Sequence, residues 1–194
     1  MSALASSRWL AVGATTLAFP GLLLAHPQGH LIYDCAAGLA HPWHGWDHLL
    51  ALLAVGGWAA QQRGAARLAL PGAFVGGTAL GALAGTWSGP WVGLEAMLAL
   101  SVLVTGGLLA GAVQAGRWSG SLLVGGFALC HGFAHGVEAP AFAAGGYLAG
   151  LLLATISLLA VAYFAGRHLA GRSPLLPRVV GAACVLAGML LLPL

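Results

Sequence analysis

The chain has 194 residues, of which 60% are hydrophobic and 6% charged, with seven arginines, no lysine and a formal net charge of +3. A soluble domain of this length cannot hide so much apolar surface, so lipid is the expected solvent, and the same composition excludes intrinsic disorder. The dispersed arginines form no basic patch, which excludes nucleic acid as a partner, and Cys35, Cys130 and Cys184 give no readable disulfide framework.

The pattern predicts an all-α polytopic membrane protein: an N-terminal leader followed by a single Gly-rich six-helix transmembrane domain over residues 26–194. Residues 1–25 read as a secretory signal peptide. Arg8 closes a short basic region, Trp9 to Phe19 is apolar, Pro20-Gly21 breaks the helix, and Ala25 offers a small residue for cleavage. The alternative is an uncleaved first helix. Cleavage would place His26 at the new amino terminus, where its free amine and imidazole, with His30 nearby, would form an N-terminal chelate.

Six apolar stretches follow at about 43–60, 68–86, 92–112, 120–138, 143–166 and 176–194, each near the ~20 residues that cross a bilayer. Arg63, Arg67, Arg117, Arg167, Arg172 and Arg178 fall on alternate connections. The positive-inside rule puts those connections in the cytoplasm and the mature N-terminus and the C-terminus outside. Trp87, Trp91 and Trp118 stand at segment ends, where an interfacial indole belongs. Glycines recur four apart, as in Gly72/Gly76, Gly77/Gly81/Gly85, Gly107/Gly111, Gly132/Gly136 and Gly146/Gly150, a spacing that lets transmembrane backbones approach closely.

Three stretches carry the chemistry, and the topology sets all three on the outer side. In His41-Pro42-Trp43-His44-Gly45-Trp46-Asp47-His48, Pro42 is suited to a helix start, and His44 and His48 then share a face with Asp47 beside them. In His131-Gly132-Phe133-Ala134-His135-Gly136-Val137-Glu138, the two imidazoles and the carboxylate also lie on one helical face. Glu95 sits about one turn into the third stretch. Ionisable side chains within a membrane are costly and mark an ion path or site. Imidazole with carboxylate suits Ni²⁺, Co²⁺, Zn²⁺ or Cu²⁺ and suits Mg²⁺ or Ca²⁺ poorly. His44 and His131 are read as additional ligands or as groups orienting the true ones. Cys130 and Met97 are read as soft ligands or core residues, and His168 as a loop residue among arginines. Asp34 is read as exposed outside, where it attracts cations. Few strong ligands occupy the inner half, where Thr78, Ser101, Thr105 and Gln114 are the polar candidates.

His41-Pro42-x-x-Gly45-x-Asp47-His48-x-Leu50-Ala51, followed by Val55-Gly56, resembles the signature of the HupE/UreJ nickel permeases. Glu95-Ala96-Met97 through Ser101 and His135-Gly136-x-Glu138 are similar to that family's other polar elements. Leu52 stands where the family usually has Met. By motif match the resemblance implies metal-handling roles for His41, Asp47, His48, Glu95, His135 and Glu138, and an apolar gate at Phe74. It implies a transporter, not an enzyme, that takes up Ni²⁺ across a bacterial inner membrane. The ion would pass indirectly to cytoplasmic nickel chaperones and on to hydrogenase or urease maturation. No prosthetic group is expected. Without lysine there is no G-x-x-x-x-G-K-[ST] nucleotide loop, so a primary pump is not expected; a facilitator and a proton-coupled carrier both stay open, and facilitated diffusion is the reading preferred. Two other readings share these residues: an intramembrane Zn²⁺-dependent hydrolase, and a b-type haem protein with His48 facing His131 or His135. Nothing in the sequence sets an oligomeric state.

Overall fold

In the computed structural model, residues 31–140 and 144–192 are described, and every regular element among them is helical. The helices are α1 (Leu31–Ala40), α2 (Trp46–Gln61), α3 (Ala66–Gly85), α4 (Leu94–Ala110), α5 (Arg117–Glu138), α6 (Ala144–Arg172) and α7 (Leu175–Leu191), with a 3₁₀ turn at His41–His44 between the first two. Three of them, α3, α5 and most of α6, are long and apolar enough to cross a membrane, while α4 and α7 are shorter apolar helices. At 1.5 Å per residue, their 17 residues span about 25 Å, close to a hydrocarbon core.

Helices α2 to α7 run alternately between an end rich in histidine and an end rich in arginine. The exterior is apolar as well as the core: Leu68, Leu80, Leu122, Phe164 and Leu190 are all strongly exposed, which is stable only where lipid replaces water. Trp43, Trp46, Trp87 and Trp118 are exposed at helix ends, where an amphipathic ring meets the bilayer interface. This is a multi-pass membrane protein.

Glycine sets how closely the helices approach. Helices α3 and α5 pack in parallel as the most intimate pair. A Cβ on Gly77, Gly81 or Gly85 would collide with backbone around Gly125, Leu129 and Phe133, and one on Gly132 or Gly136 with Thr78 and Ala82. Helices α2 and α6 make a second parallel pair, with Gly56 against Leu159 and Ala162. In α4 and α7, Gly106, Gly181 and Gly188 hold an antiparallel pair. Not every spaced glycine packs: Gly72 and Gly76 face open space, and Gly107 and Gly111 meet little beyond side chains and their own helix.

The structure departs from the expected elements in two places. Residues 31–40, outside the six expected stretches, form α1, which packs on α6 through Gly38 and Gly150 and leaves Asp34, expected to be exposed, half-buried. A ten-residue helix is invisible to a span-length hydropathy window, and its burial comes from this tertiary contact. Pro42 does not open the first long helix. It sits buried in the 3₁₀ turn, Gly45 is extended (φ −113°, ψ 113°), and α2 begins at Trp46. His44 and His48 therefore do not share one helical face. The leader at 1–25, His26 and His30 lie outside the described residues.

At the arginine end the loops are tied by a buried amide. The Gln62 side chain donates from Nε2 to Val113 O at 2.9 Å and accepts from Ala115 N at Oε1, also 2.9 Å. The buried Trp58 indole donates to the same Val113 carbonyl at 2.8 Å. Arg67 Nε donates to Gln62 O at 3.1 Å. The buried Gln62 and Trp58 side chains thus find their partners on the opposite loop.

Candidate metal centre

The histidine end holds the chemistry. The 3₁₀ turn presents His41, the first turn of α2 presents Asp47 and His48, the first turn of α4 presents Glu95, and the last two turns of α5 present His131, His135 and Glu138. Local sequence explains each placement. Gly93 takes the left-handed conformation (φ 97°) that starts α4 two residues before Glu95. Gly45 leaves room for the Asp47 and His48 side chains: a Cβ there would lie 2.9 Å from both Asp47 Oδ1 and His48 Nδ1. Gly132 and Gly136, each next to a histidine, press α5 against α3 and fix the depth of both rings.

The donors fall into two groups, each with ligand atoms within 4.8 Å of one another: His41, His135 and Glu138, and Asp47, His48 and His131. Within the first, His41 Nε2 pairs with Glu138 Oε2 at 2.9 Å, the carboxylate being 58% exposed. Within the second, His48 Nδ1 meets Asp47 Oδ1 at 2.9 Å with both side chains largely covered. The groups touch through their rings: His48 and His135 centroids are 4.1 Å apart, His48 and His131 4.6 Å, and His41 and His135 4.8 Å.

Two cavities meet at this cluster. An open vestibule of about 230 Å³ is lined by His41, Asp47, His48, Glu95, His135 and Glu138, with exposed His44 at its mouth. Behind it a chamber of about 10 Å³ is lined by His48, His135, His131, Thr78, Phe74 and Thr155, among others. His48 and His135 belong to both and form the partition. Four buried polar atoms of the chamber residues have no hydrogen-bond partner among the described residues: His48 Nε2, His131 Nδ1, His135 Nδ1 and Thr78 Oγ1. Each orphan costs about 1–3 kcal/mol unless something occupies it.

The structure thus brings together His41, Asp47, His48, Glu95, His135 and Glu138 around one vestibule. It places His131, expected beside them, one layer deeper and almost fully buried. The groups therefore lie at two levels on the outer side, because His131 lies a full turn below His135 on α5. Phe74 is buried with its ring 5.9 Å from that of His131. Cys130 and Met97 line neither cavity, and Cys130 turns its Sγ to Gly126 O on its own helix at 3.7 Å. His168 is exposed near the arginine end of α6. Ser101 and Thr105 donate to carbonyls of their own helix, and Gln114 reaches Gln61 O at 3.0 Å, so none of these three is a free polar group on an inner path. Sequence reasoning missed Tyr147 of α6, which is buried with its ring edge-on to His41 at 5.4 Å. It also missed Gln62 and Trp58; a Gln-rich loop next to an apolar helix was the available signal.

A haem between His48 and His131 or His135 does not fit, because rings in edge or tilted contact leave no slot for a macrocycle. Clustered imidazole nitrogens with carboxylates alongside suit a single divalent transition-metal ion instead.

The family model described as "HupE / UreJ protein" matches residues 14–191. The chain is 38% identical to Protein HupE of Rhizobium leguminosarum bv. viciae over 178 residues, covering 91% of this chain and 93% of the relative. No solved structure matches it. With the helical bundle, the two-level histidine cluster and a family match across most of its length, the chain belongs to the HupE/UreJ family.

Proposed function

We propose that this protein carries a divalent transition-metal cation, Ni²⁺ ahead of Co²⁺, across the bacterial inner membrane toward hydrogenase or urease maturation. The observation that carries the reading is the vestibule whose inner wall is made of His48 and His135, each with a buried nitrogen left without a partner among the described residues. Membership of the HupE/UreJ family supports it. Glu95, Asp47 and Glu138 concentrate the hydrated cation at the mouth. His41, His48 and His135 exchange its waters for nitrogen. Asp47 acts through His48, holding the ring so that Nε2 faces away from the carboxylate, as carboxylates do behind metal-bound histidines. Phe74 closes the far side of the chamber as an apolar gate. The arginine end faces the cytoplasm, as the positive-inside rule requires, and all six helices α2 to α7 cross the bilayer. The membrane potential, about 2.3 kcal/mol per charge per 100 mV, draws a dication inward without a coupled reaction.

The test is uptake of radioactive nickel by cells expressing the chain. His48→Ala is expected to abolish saturable uptake at low external nickel, and undiminished uptake would reject the site. The intramembrane hydrolase reading uses the same residues and predicts tightly held zinc with no uptake at all, so the wild-type measurement alone separates the two.

A further inference from the structure

The chamber behind the vestibule has a hydrogen-bond pattern that settles which nitrogens are available. Ser101 has one hydroxyl proton, and its Oγ lies 2.6 Å from Leu98 O, to which it donates. The same oxygen lies 2.7 Å from His131 Nε2, so that contact is made by the ring donating its N–H. His131 is then the Nε2–H tautomer, and its Nδ1 carries a lone pair that is buried and unpartnered among the described residues. His48 mirrors it: Nδ1–H donates to Asp47 Oδ1, leaving the lone pair on Nε2, also buried and unpartnered. Each ring is clamped at one nitrogen and left open at the other. Among the described residues, His135 Nδ1 and Thr78 Oγ1 are the other unpartnered atoms around the same space.

We infer that this chamber is a second metal station, deeper than the vestibule and built chiefly of nitrogen, in which His131 ligates through Nδ1 and Ser101 is the positioning residue that holds its ring in the ligating tautomer. The ligand class is a borderline divalent cation. At about 10 Å³ the chamber has room for one water-sized occupant, so an ion enters it stripped of most of its hydration. The vestibule, with three carboxylates beside its imidazoles, discriminates less against Mg²⁺ and Ca²⁺ than a site built of nitrogen alone. The chamber offers mainly imidazole nitrogen and rejects cations that require oxygen ligands. Discrimination between metals is therefore sharpest in the chamber, where His131 adds its nitrogen to those of His48 and His135. The placement of the station on a transport path rests on the proposed function, whereas its capacity to bind metal does not.

The experiment uses the full chain purified in detergent and titrated with Co²⁺, followed by calorimetry and by the visible d–d absorption that reports nitrogen ligation. Ser101→Ala is expected to weaken Co²⁺ binding about 10–100-fold, the usual effect of removing a group that orients a metal-bound histidine. Ser101→Thr, which keeps the hydroxyl, is expected to restore wild-type binding. His131→Gln is expected to weaken Co²⁺ binding and to reduce the nitrogen-ligated absorption to that of an ion held at the vestibule alone. Wild-type affinity and spectrum in Ser101→Ala or in His131→Gln would overturn the proposal, as would failure of the threonine variant to rescue a folded protein. Nickel uptake is measured in parallel. No uptake by wild-type cells, with the binding results as expected, would overturn the transport reading and leave the chamber standing as a metal site.

Discussion

Replacing Asp47 by asparagine separates a carboxylate that orients His48 from one that binds the cation directly. Asparagine keeps the shape and the Oδ1 acceptor that takes the His48 N–H at 2.9 Å, and loses the charge together with the second acceptor oxygen, which becomes an NH2 donor. A hydrogen bond to an ionised acceptor is about twice as strong as a neutral one, and a neutral one contributes about 1 kcal/mol. The substitution therefore removes about 1 kcal/mol from the clamp on the ring and lowers the basicity of Nε2 as well. Orienting partners of metal-bound histidines cost about 10–100-fold in affinity, or about 1.4–2.8 kcal/mol. Because the Asp47 side chain retains 19% exposure, water screens part of the effect and the lower end applies, about tenfold. The assay is the nickel dependence of uptake alongside the dissociation constant of the purified protein. Both are expected to rise about tenfold in Asp47→Asn with maximal uptake retained. An unchanged affinity would refute the orienting role. Loss of all saturable binding would refute it in the other direction, making the carboxylate itself a ligand.

Glu138→Gln is expected to leave the melting temperature in detergent almost unchanged, since its pair with His41 is exposed and such pairs contribute at most about 1 kcal/mol. Uptake at low nickel should nevertheless fall, and a large stability loss would show a structural role instead. Gly81→Ala should destabilise the bundle by about 1–3 kcal/mol because its Cβ meets the Leu129 carbonyl, while Gly76→Ala, facing open space, should cost nothing in packing and stabilise the helix by up to about 1 kcal/mol; equal melting temperatures would refute the packing. Gln62→Leu should destabilise by about 1–3 kcal/mol by stranding Ala115 N, read out by thermal unfolding, and no change would mean water replaces the amide. Phe74→Ala should raise Mg²⁺ passage relative to Ni²⁺ in a competition uptake assay, and an unaltered ratio would remove the gate from its place beside His131.

The vestibule was legible in the sequence because membrane topology and helical spacing are both one-dimensional. Arginine placement put the 41–48 and 131–138 stretches at one end, and spacings of four and three put His131, His135 and Glu138 on one face. The division into two levels was not legible. It depends on how deep α5 sits against α3, which the Gly81, Gly132 and Gly136 contacts determine only once the two helices are known to be neighbours. Those two are separated by a whole helix in the chain, and a glycine spacing does not name its partner: Gly72/Gly76 and Gly81/Gly85 read alike, yet only the second pair packs. The break at Gly45 was hidden because Pro42 suits the first turn of either a 3₁₀ turn or an α-helix. Ser101 stood in the sequence as a polar residue of the inner half, and only its 2.7 Å contact with His131 ties it to the histidine end.

The two ends of the bundle are held by different forces, and they respond to different conditions. The His41–Glu138 pair is partly exposed, and when its imidazole is protonated, raising ionic strength from about 0.01 M to 1 M shortens the Debye length from about 30 Å to 3 Å and weakens its attraction. The Trp58–Val113–Gln62 knot is neutral and dry, and salt leaves it untouched. A buffer that loosens one mouth of this molecule therefore leaves the other locked, so a salt jump is a one-sided key.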